Sequence, residues 1–328
     1  MDKAARIALT PVWALQLFSG VKSFRDNGVI GSRTLNRLGL HVARKTLAHA
    51  FTSARRFILA PLAPADLRRR FRKDGFLVIP DFLPRVAFDA LCAEADALAA
   101  DEGLRIQEGD TRTQLALVDE AAMARFPHLS GLLEDKRLLG LSNFIGARLK
   151  HPFCQIQTLS RDFNANEADP QKSTHSDTFH PTLKGWLFLD DVDVARGPLN
   201  YVPGSHRLTR KRLAWEHGQS LKARSSTDPH VAAGSFRAGP EDLQAMGLPE
   251  PVALAVAANT LILADTSGFH RRGEALDERP RRAVYFWMRT NPFNPVLGFR
   301  SKTWRRLEQM VFKRIVRAQR ERTQRTVL

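Results

Sequence analysis

The chain has 328 residues, of which 43% are hydrophobic and 26% charged, a globular composition that excludes wholesale disorder and allows a substantial core. Two cysteines, Cys92 and Cys154, rule out a disulfide framework or a multi-cysteine metal site and fit a reduced, intracellular setting, read as cytoplasmic. The net charge of +16 sits at the ends: residues 1–74 carry 15 Lys/Arg against 4 Asp/Glu, residues 300–328 carry 10 against 2, and the body between them carries 25 against 28.

No uncharged apolar run approaches the ~20 residues of a spanning helix. The apolar stretch from Ile7 to Phe18 contains Pro11 and lacks a small-x-small cleavage site, so it reads as retained. The first sixty residues predict helical pieces broken by Pro11, Gly28, Gly31 and Gly39. From Arg33 to Phe57 the apolar Leu35, Leu38, Val42, Leu47 and Phe51 alternate with basic residues, a loose basic amphipathic pattern. A new unit starts at Asp66, with a short helix to Lys73, a stop at Asp74-Gly75 and an apolar strand over Phe76–Ile79. Ala87–Ala100 and segments between Glu120 and Lys150 read as helices.

From Phe153 onward short strands are predicted at Phe153–Leu159, Lys184–Leu189, Val252–Ala257, Thr260–Ala264 and Val284–Met288. Helical or loop excursions interrupt them at Arg210–Ser226 and Pro240–Gly247. Short strands without alternating long helices predict a β-sandwich or barrel, not a doubly wound sheet. Trp304, Leu307, Val311 and Ile315 recur at helical spacing among basic residues. Three regions follow: a basic helical extension (1–62), a β-rich body (63–299) and a basic amphipathic C-terminal helix (300–328).

The strongest chemical signal is His175-Ser176-Asp177. In a strand, residues i and i+2 share a face, so an imidazole and a carboxylate there can converge on one metal. A third ligand is needed, and His270 is the choice: an apolar strand, Leu261–Ala264, runs into a Gly-containing turn that delivers it. The rivals are His180, close in the same loop, and His206, in the turn Pro203-Gly204-Ser205-His206. Two histidines and one carboxylate on a β scaffold form the facial triad of non-haem iron(II) oxygenases. Arg281 enters the apolar strand that runs to Met288. A guanidinium there calls for an anion, either a dicarboxylate cosubstrate or a structural carboxylate such as Asp277 or Glu278. Strand alternation lets only one of Arg281 and Arg282 face inward, and Arg281 is the choice. Gln155, Gln157 and Trp186 are candidates for the pocket lining by strand position. Cys92 and Cys154 read as core.

These residues carry a resemblance. The segment from Phe71 to Leu83, the His175/Asp177 pair, the stretch Leu189-Asp190-Asp191 through Gly197-Pro198-Leu199 to His206, and the spacing from His270 to Arg281 together resemble the phytanoyl-CoA dioxygenase family over roughly residues 66–290. The resemblance implies a double-stranded β-helix (a cupin-like jelly roll) with flanking α-helices, α+β overall. It implies iron(II) held by His175, Asp177 and His270, with 2-oxoglutarate and O2 as cosubstrates and Arg281 binding 2-oxoglutarate; Gln157 is added as a cosubstrate-binding candidate from its strand position alone. The implied reaction hydroxylates an aliphatic C–H of the substrate and releases succinate and CO2; the basic, apolar-striped ends of the chain, not the resemblance, point to a small or amphiphilic, lipid- or acyl-type substrate. Asp177 argues against halogenation, because related halogenases lose that carboxylate. Arg271 and Arg272 depart from the family pattern, in which a small polar residue or asparagine follows the distal histidine.

Two further readings stay open: a non-catalytic, basic surface-binding protein on a β scaffold, and a nucleic-acid-directed oxygenase. The basic segments lack the aromatic interleaving that base stacking favours, which argues against nucleic acid. Basic, apolar-striped ends suit the inner face of an anionic membrane, with peripheral attachment.

Overall fold

The computed structural model describes residues 3–101, 104–276, 278–301 and 303–314. In chain order these form α1 (Lys3–Leu15), α2 (Arg33–Arg37), α3 (Leu40–Ile58), α4 (Ala65–Asp74), β1 (Phe76–Ile79), α5 (Arg85–Asp101), β2 (Leu104–Glu108) and β3 (Thr111–Leu117). Next come α6 (Glu120–Arg125), α7 (Pro127–Glu134), α8 (Lys136–Gly146), β4 (Phe153–Arg161), β5 (Leu183–Phe188), β6 (Leu199–Tyr201), α9 (Arg210–Lys222) and α10 (Pro229–Ala232). The chain closes with α11 (Pro240–Met246), β7 (Val252–Ala253), β8 (Leu261–Asp265), β9 (His270–Arg272), β10 (Arg281–Met288) and α12 (303–314).

Seven strands form an antiparallel sheet in the order β1-β8-β5-β10-β4-β3-β2, and β7-β6-β9 form a smaller antiparallel sheet. Isolated bridges also occur, among them Val192 with Val256 and His175 with His270. The architecture is the jelly roll with flanking helices that the sequence predicts, α+β overall.

The period of two along each strand sorts the side chains. On β10, Val284, Phe286 and Met288 join Leu183 and Leu187 of β5 in the core beneath α4, α5, α7 and α8. The alternate residues Ala283 of β10, Trp186 and Phe188 of β5 and Ile262 and Ala264 of β8 face the small sheet. Polar groups are tolerated on this inner face only where a cavity or a partner receives them.

Some boundaries differ from those read in the sequence. Helix α1 runs through Pro11, which removes one backbone hydrogen bond without ending the helix. Gly39, with φ +95, divides α2 from α3. Of the expected strand 252–257 only Val252 and Ala253 form a strand, and Val256 makes an isolated bridge to Val192. Gly75 closes α4 in the left-handed conformation (φ +86), and a Cβ there would lie 2.5 Å from His206 Nδ1.

Helix α3 turns its cations inward. Lys45 and His41 meet the Glu216 carboxylate of α9 at 3.0 and 2.8 Å, and Arg212 reaches it at 2.8 Å. Arg44 donates to the carbonyls of Leu17, Ser19 and Val21. Arg55 donates to those of Ala147, Pro292 and Asn294. Residues 16–58 are thereby tied to the β-rich body through buried polar contacts, while Leu38 (81% exposed) and Phe57 (79%) face outward.

Candidate metal centre

His175 and Asp177 lie in the extended segment that crosses from a short helical turn at Pro170–Lys172 toward β5, and His270 opens β9. Backbone bonds clamp the three together. His175 and His270 exchange N–H···O bonds of 2.9 Å in both directions, and Asp177 N–H donates to Thr266 O at 2.9 Å. The His175 Nδ1 donates to Ser173 O (2.8 Å) and the His270 Nδ1 to Gly268 O (3.0 Å). Each bond leaves Nε2 as the lone-pair nitrogen and fixes the ring, the arrangement that metal-binding imidazoles require.

Both Nε2 atoms point at one carboxylate oxygen: Asp177 Oδ1 is 3.7 Å from His175 Nε2 and 3.8 Å from His270 Nε2. All three ligand atoms lie within 4.8 Å of one another, and all three residues are buried. His175 Nε2 has no hydrogen-bond partner. A buried orphan nitrogen beside a second imidazole and a carboxylate is what a cation would satisfy, and two nitrogens and one oxygen suit iron(II). The rivals lie elsewhere. His180 Nδ1 bonds Pro181 O, and His206 packs against Phe71 beside another cavity.

Lys184 holds the second oxygen, its Nζ 2.7 Å from Asp177 Oδ2. Burial pushes the Asp177 carboxyl up, but Lys184 and the two imidazoles outweigh it and hold the group well below the usual carboxylate range. Burial, then the neighbouring His175, push His270 down to about 3. The donor set therefore includes an ionised carboxylate and a neutral His270 imidazole at neutral pH, with the His175 Nε2 beside them. Behind it, Lys22 Nζ donates to the Asp177 carbonyl, so the chain segment between α1 and α2 braces a ligand of the centre directly.

The triad opens on a cavity of about 520 Å³ between the sheets. Its walls are the inward faces of β2, β3, β4, β5 and β10, including Leu115, Gln155, Gln157, Trp186, Tyr285 and Trp287. Arg281 lines it at 8% exposure, and its Nη1 donates to Gly197 O. Among the described residues no carboxylate pairs with Arg281; Asp277 lies outside them. Burial pushes its guanidinium down to about 9, and Arg272 and Arg196 add repulsion, so an anion brought beside it would be strongly held. Arg282 points the other way, to Asp190 and Asp96 on the outer face. Gln157 accepts from the Trp186 indole at 3.3 Å, which leaves its NH2 group free to donate. Across the sheet it lies two positions from Leu159, the register partner of Arg281.

Sequence reasoning missed Lys184, Lys22 and Arg289. Lys184 leaves a readable signal, a lysine inside the otherwise apolar strand Leu-Lys-Gly-Trp-Leu-Phe. Lys22 leaves none, since its acceptor is a backbone carbonyl far along the chain.

The family model described as phytanoyl-CoA dioxygenase (PhyH) matches residues 71–236. Ectoine dioxygenase of Halomonas elongata is 27% identical over 246 residues, 69% of either chain. Among solved structures, the epimerase SnoN of nogalamycin biosynthesis, in complex with Fe3+, alpha ketoglutarate and nogalamycin RO, is 21% identical with a TM-score of 0.47, covering 70% of this chain and 83% of its own. EctD from S. alaskensis with bound Fe is 20% identical with a TM-score of 0.44, covering 69% and 76%.

Proposed function

The chain belongs to the phytanoyl-CoA dioxygenase family and is an iron(II)- and 2-oxoglutarate-dependent dioxygenase; from that premise we propose that it hydroxylates an aliphatic C–H of a small or amphiphilic molecule, with His175, Asp177 and His270 as the iron ligands. The observation that carries the reading is the convergence of the His175 and His270 Nε2 atoms and Asp177 Oδ1 beside a cavity that also holds Arg281. Iron(II) with 2-oxoglutarate would supply dioxygen activation coupled to formation of succinate and CO2. The protein's own residues do the rest. Arg281 and the Gln157 amide hold the far carboxylate of 2-oxoglutarate, and Lys184 engages Oδ2 so that Asp177 presents a single donor oxygen. Trp186, Tyr285 and Trp287 form the wall against which the substrate carbon is held. In this reading residues 63–299 are the catalytic unit, braced by the segment around Lys22.

The test is spectroscopic. Purified protein with iron(II) and 2-oxoglutarate, kept free of air, is expected to develop a broad visible metal-to-ligand absorption band and to hold one iron per chain. Absence of both band and iron would favour the non-catalytic scaffold instead.

Location is a separate matter on which one observation bears. No helix among the described residues is long and apolar enough to cross a membrane. Yet the N-terminal helices turn Leu15, Phe18, Leu38, Phe57 and Ile58 outward, and α12 does the same with Trp304 and Val311. Ile315, part of the same stripe in the sequence, lies outside the described residues. Because Arg44, Lys45, Arg55 and Arg305 are engaged internally, these apolar faces would carry attachment to a membrane surface, with the remaining cations favouring anionic lipid. The protein is expected to sediment with phosphatidylglycerol vesicles and to lose most of that binding when Phe57→Ser and Ile58→Ser are combined. Equal recovery in the supernatant with and without vesicles would overturn attachment.

A further inference from the structure

We propose that Lys22 is a positioning residue of the metal centre: its ammonium fixes the peptide of Asp177, so a segment outside the residues matched by the family model sets part of the affinity for the metal. This deepens the dioxygenase reading and rests on it.

Asp177 sits where the pairing of the ligand segment ends. His175 is bonded to His270 in both directions, Ser176 N–H donates to Phe236 O at 3.0 Å, and Ser176 O accepts from the Ser235 hydroxyl at 2.8 Å. After the Asp177 N–H, which is bonded to Thr266 O, the chain bends away. Among the described residues no backbone N–H reaches the Asp177 carbonyl, and its donor is the Lys22 ammonium, 155 positions away in sequence. A carbonyl of a buried residue that loses its donor is costly, and its peptide turns to find another. Turning that peptide displaces the Cα from which the carboxylate projects. Yet Asp177 Oδ1 has to stay 3.7 and 3.8 Å from the two Nε2 atoms for all three to share one ion.

The segment that carries Lys22 is docked without help from the ammonium. Arg44 holds the carbonyls of Leu17, Ser19 and Val21. The N–H groups of Phe24 and Arg25 share Ala232 O at 3.0 Å, and the Phe24 ring packs with Ile30, Ala223 and Phe236. Phe236 thus touches both sides: its ring receives Phe24 and its carbonyl holds Ser176. The bond from Lys22 can therefore be removed while its segment stays in place.

The charge of Lys22 and its bond act in opposite directions. Among the described residues no carboxylate lies within ion-pair distance of this ammonium, and Lys184, Arg237 and Arg289 repel it. As a charge alone it would also repel an incoming divalent cation. Only as a donor that holds a ligand in register does it favour the metal, in the way outer partners of metal ligands do.

The test uses the full-length protein and cobalt(II) alone, whose visible absorption reports the ligand set without turnover. Lys22→Met keeps the apolar stem and removes the donor. It is expected to weaken cobalt(II) by about 10- to 100-fold and to change the shape of the absorption, while the melting temperature of the metal-free protein stays close to that of the unsubstituted chain. Lys22→Gln, too short to reach the carbonyl, should do the same and serves if Lys22→Met folds poorly. Lys22→Arg restores donor and charge and should recover most of the affinity. Ser23→Ala, which loses the neighbouring bond to Asp26, should bind cobalt(II) like the unsubstituted protein. Unchanged or tighter binding in Lys22→Met, the result for a charge alone, would overturn the positioning role with the triad intact. Equal weakening in Ser23→Ala would overturn it too, because any loosening of the segment would then suffice. A protein that binds neither cobalt(II) nor iron(II) would instead remove the metal centre on which the role rests.

Discussion

Replacing Asp177 by alanine is expected to abolish hydroxylation and to cut iron affinity by more than about 100-fold, beyond what loss of a mere outer partner of a metal ligand costs. The substitution removes the one oxygen on which both Nε2 atoms converge, leaving two imidazoles and no anionic donor. It also leaves Lys184 without its carboxylate, although that ammonium borders the cavity and can be hydrated there. The fold should therefore survive, because the backbone bonds from Asp177 N–H to Thr266 and from Lys22 to the Asp177 carbonyl do not involve the side chain. Iron content, succinate formation and a melting curve measured on one preparation check all three statements. Hydroxylation at the unsubstituted rate would eliminate the triad as assigned.

Arg281→Ala should raise the KM for 2-oxoglutarate by about 100-fold, as expected when two charge-assisted hydrogen bonds worth about 1.5 kcal/mol each are lost. The KM for the organic substrate should change little, since Arg281 lies at the other end of the cavity from Lys184. Arg282→Ala is the control. Its guanidinium is held by Asp190 at 2.6 Å and by Asp96 on the outer surface, so its loss should lower the melting temperature and leave 2-oxoglutarate kinetics alone. An exchange of the two phenotypes would mean that the register between β10 and β4 is displaced by one residue.

How far the sequence reaches depends on the distance over which each signal acts. His175 and Asp177 are legible because a period of two is a local property, and His270 because Gly268 announces the turn that precedes it. The β2–β3 hairpin was missed although Glu108-Gly109-Asp110 marks its turn, with Gly109 at φ +54. Its strands alternate polar with weakly apolar residues at the sheet edge, so their hydrophobic signal is faint. Strands β6 and β9 have three residues each, too few for any periodicity. The inward cations of α3 were beyond reach for another reason. Lys45 and Arg44 look like surface residues until the Glu216 carboxylate and the carbonyls of Leu17, Ser19 and Val21 are brought against them.

The strand order also dictates a schedule for biosynthesis. Strand β10 lies between β5 and β4, so the middle of the large sheet is the last part of it to leave the ribosome. Until then β1, β8 and β5 can form one ribbon and β4, β3 and β2 another, each ending in an unpaired edge backed by apolar residues. Such edges recruit other chains, and pairings this distant in sequence form slowly. A nascent chain of this protein must therefore pass through a split-sheet stage prone to aggregation, one that chaperones would be expected to cover. The metal ligands need not wait for that step. His175, Asp177 and His270 are joined by backbone bonds that do not involve β10, so the ligand set can form before the strand that carries Arg281 closes the gap.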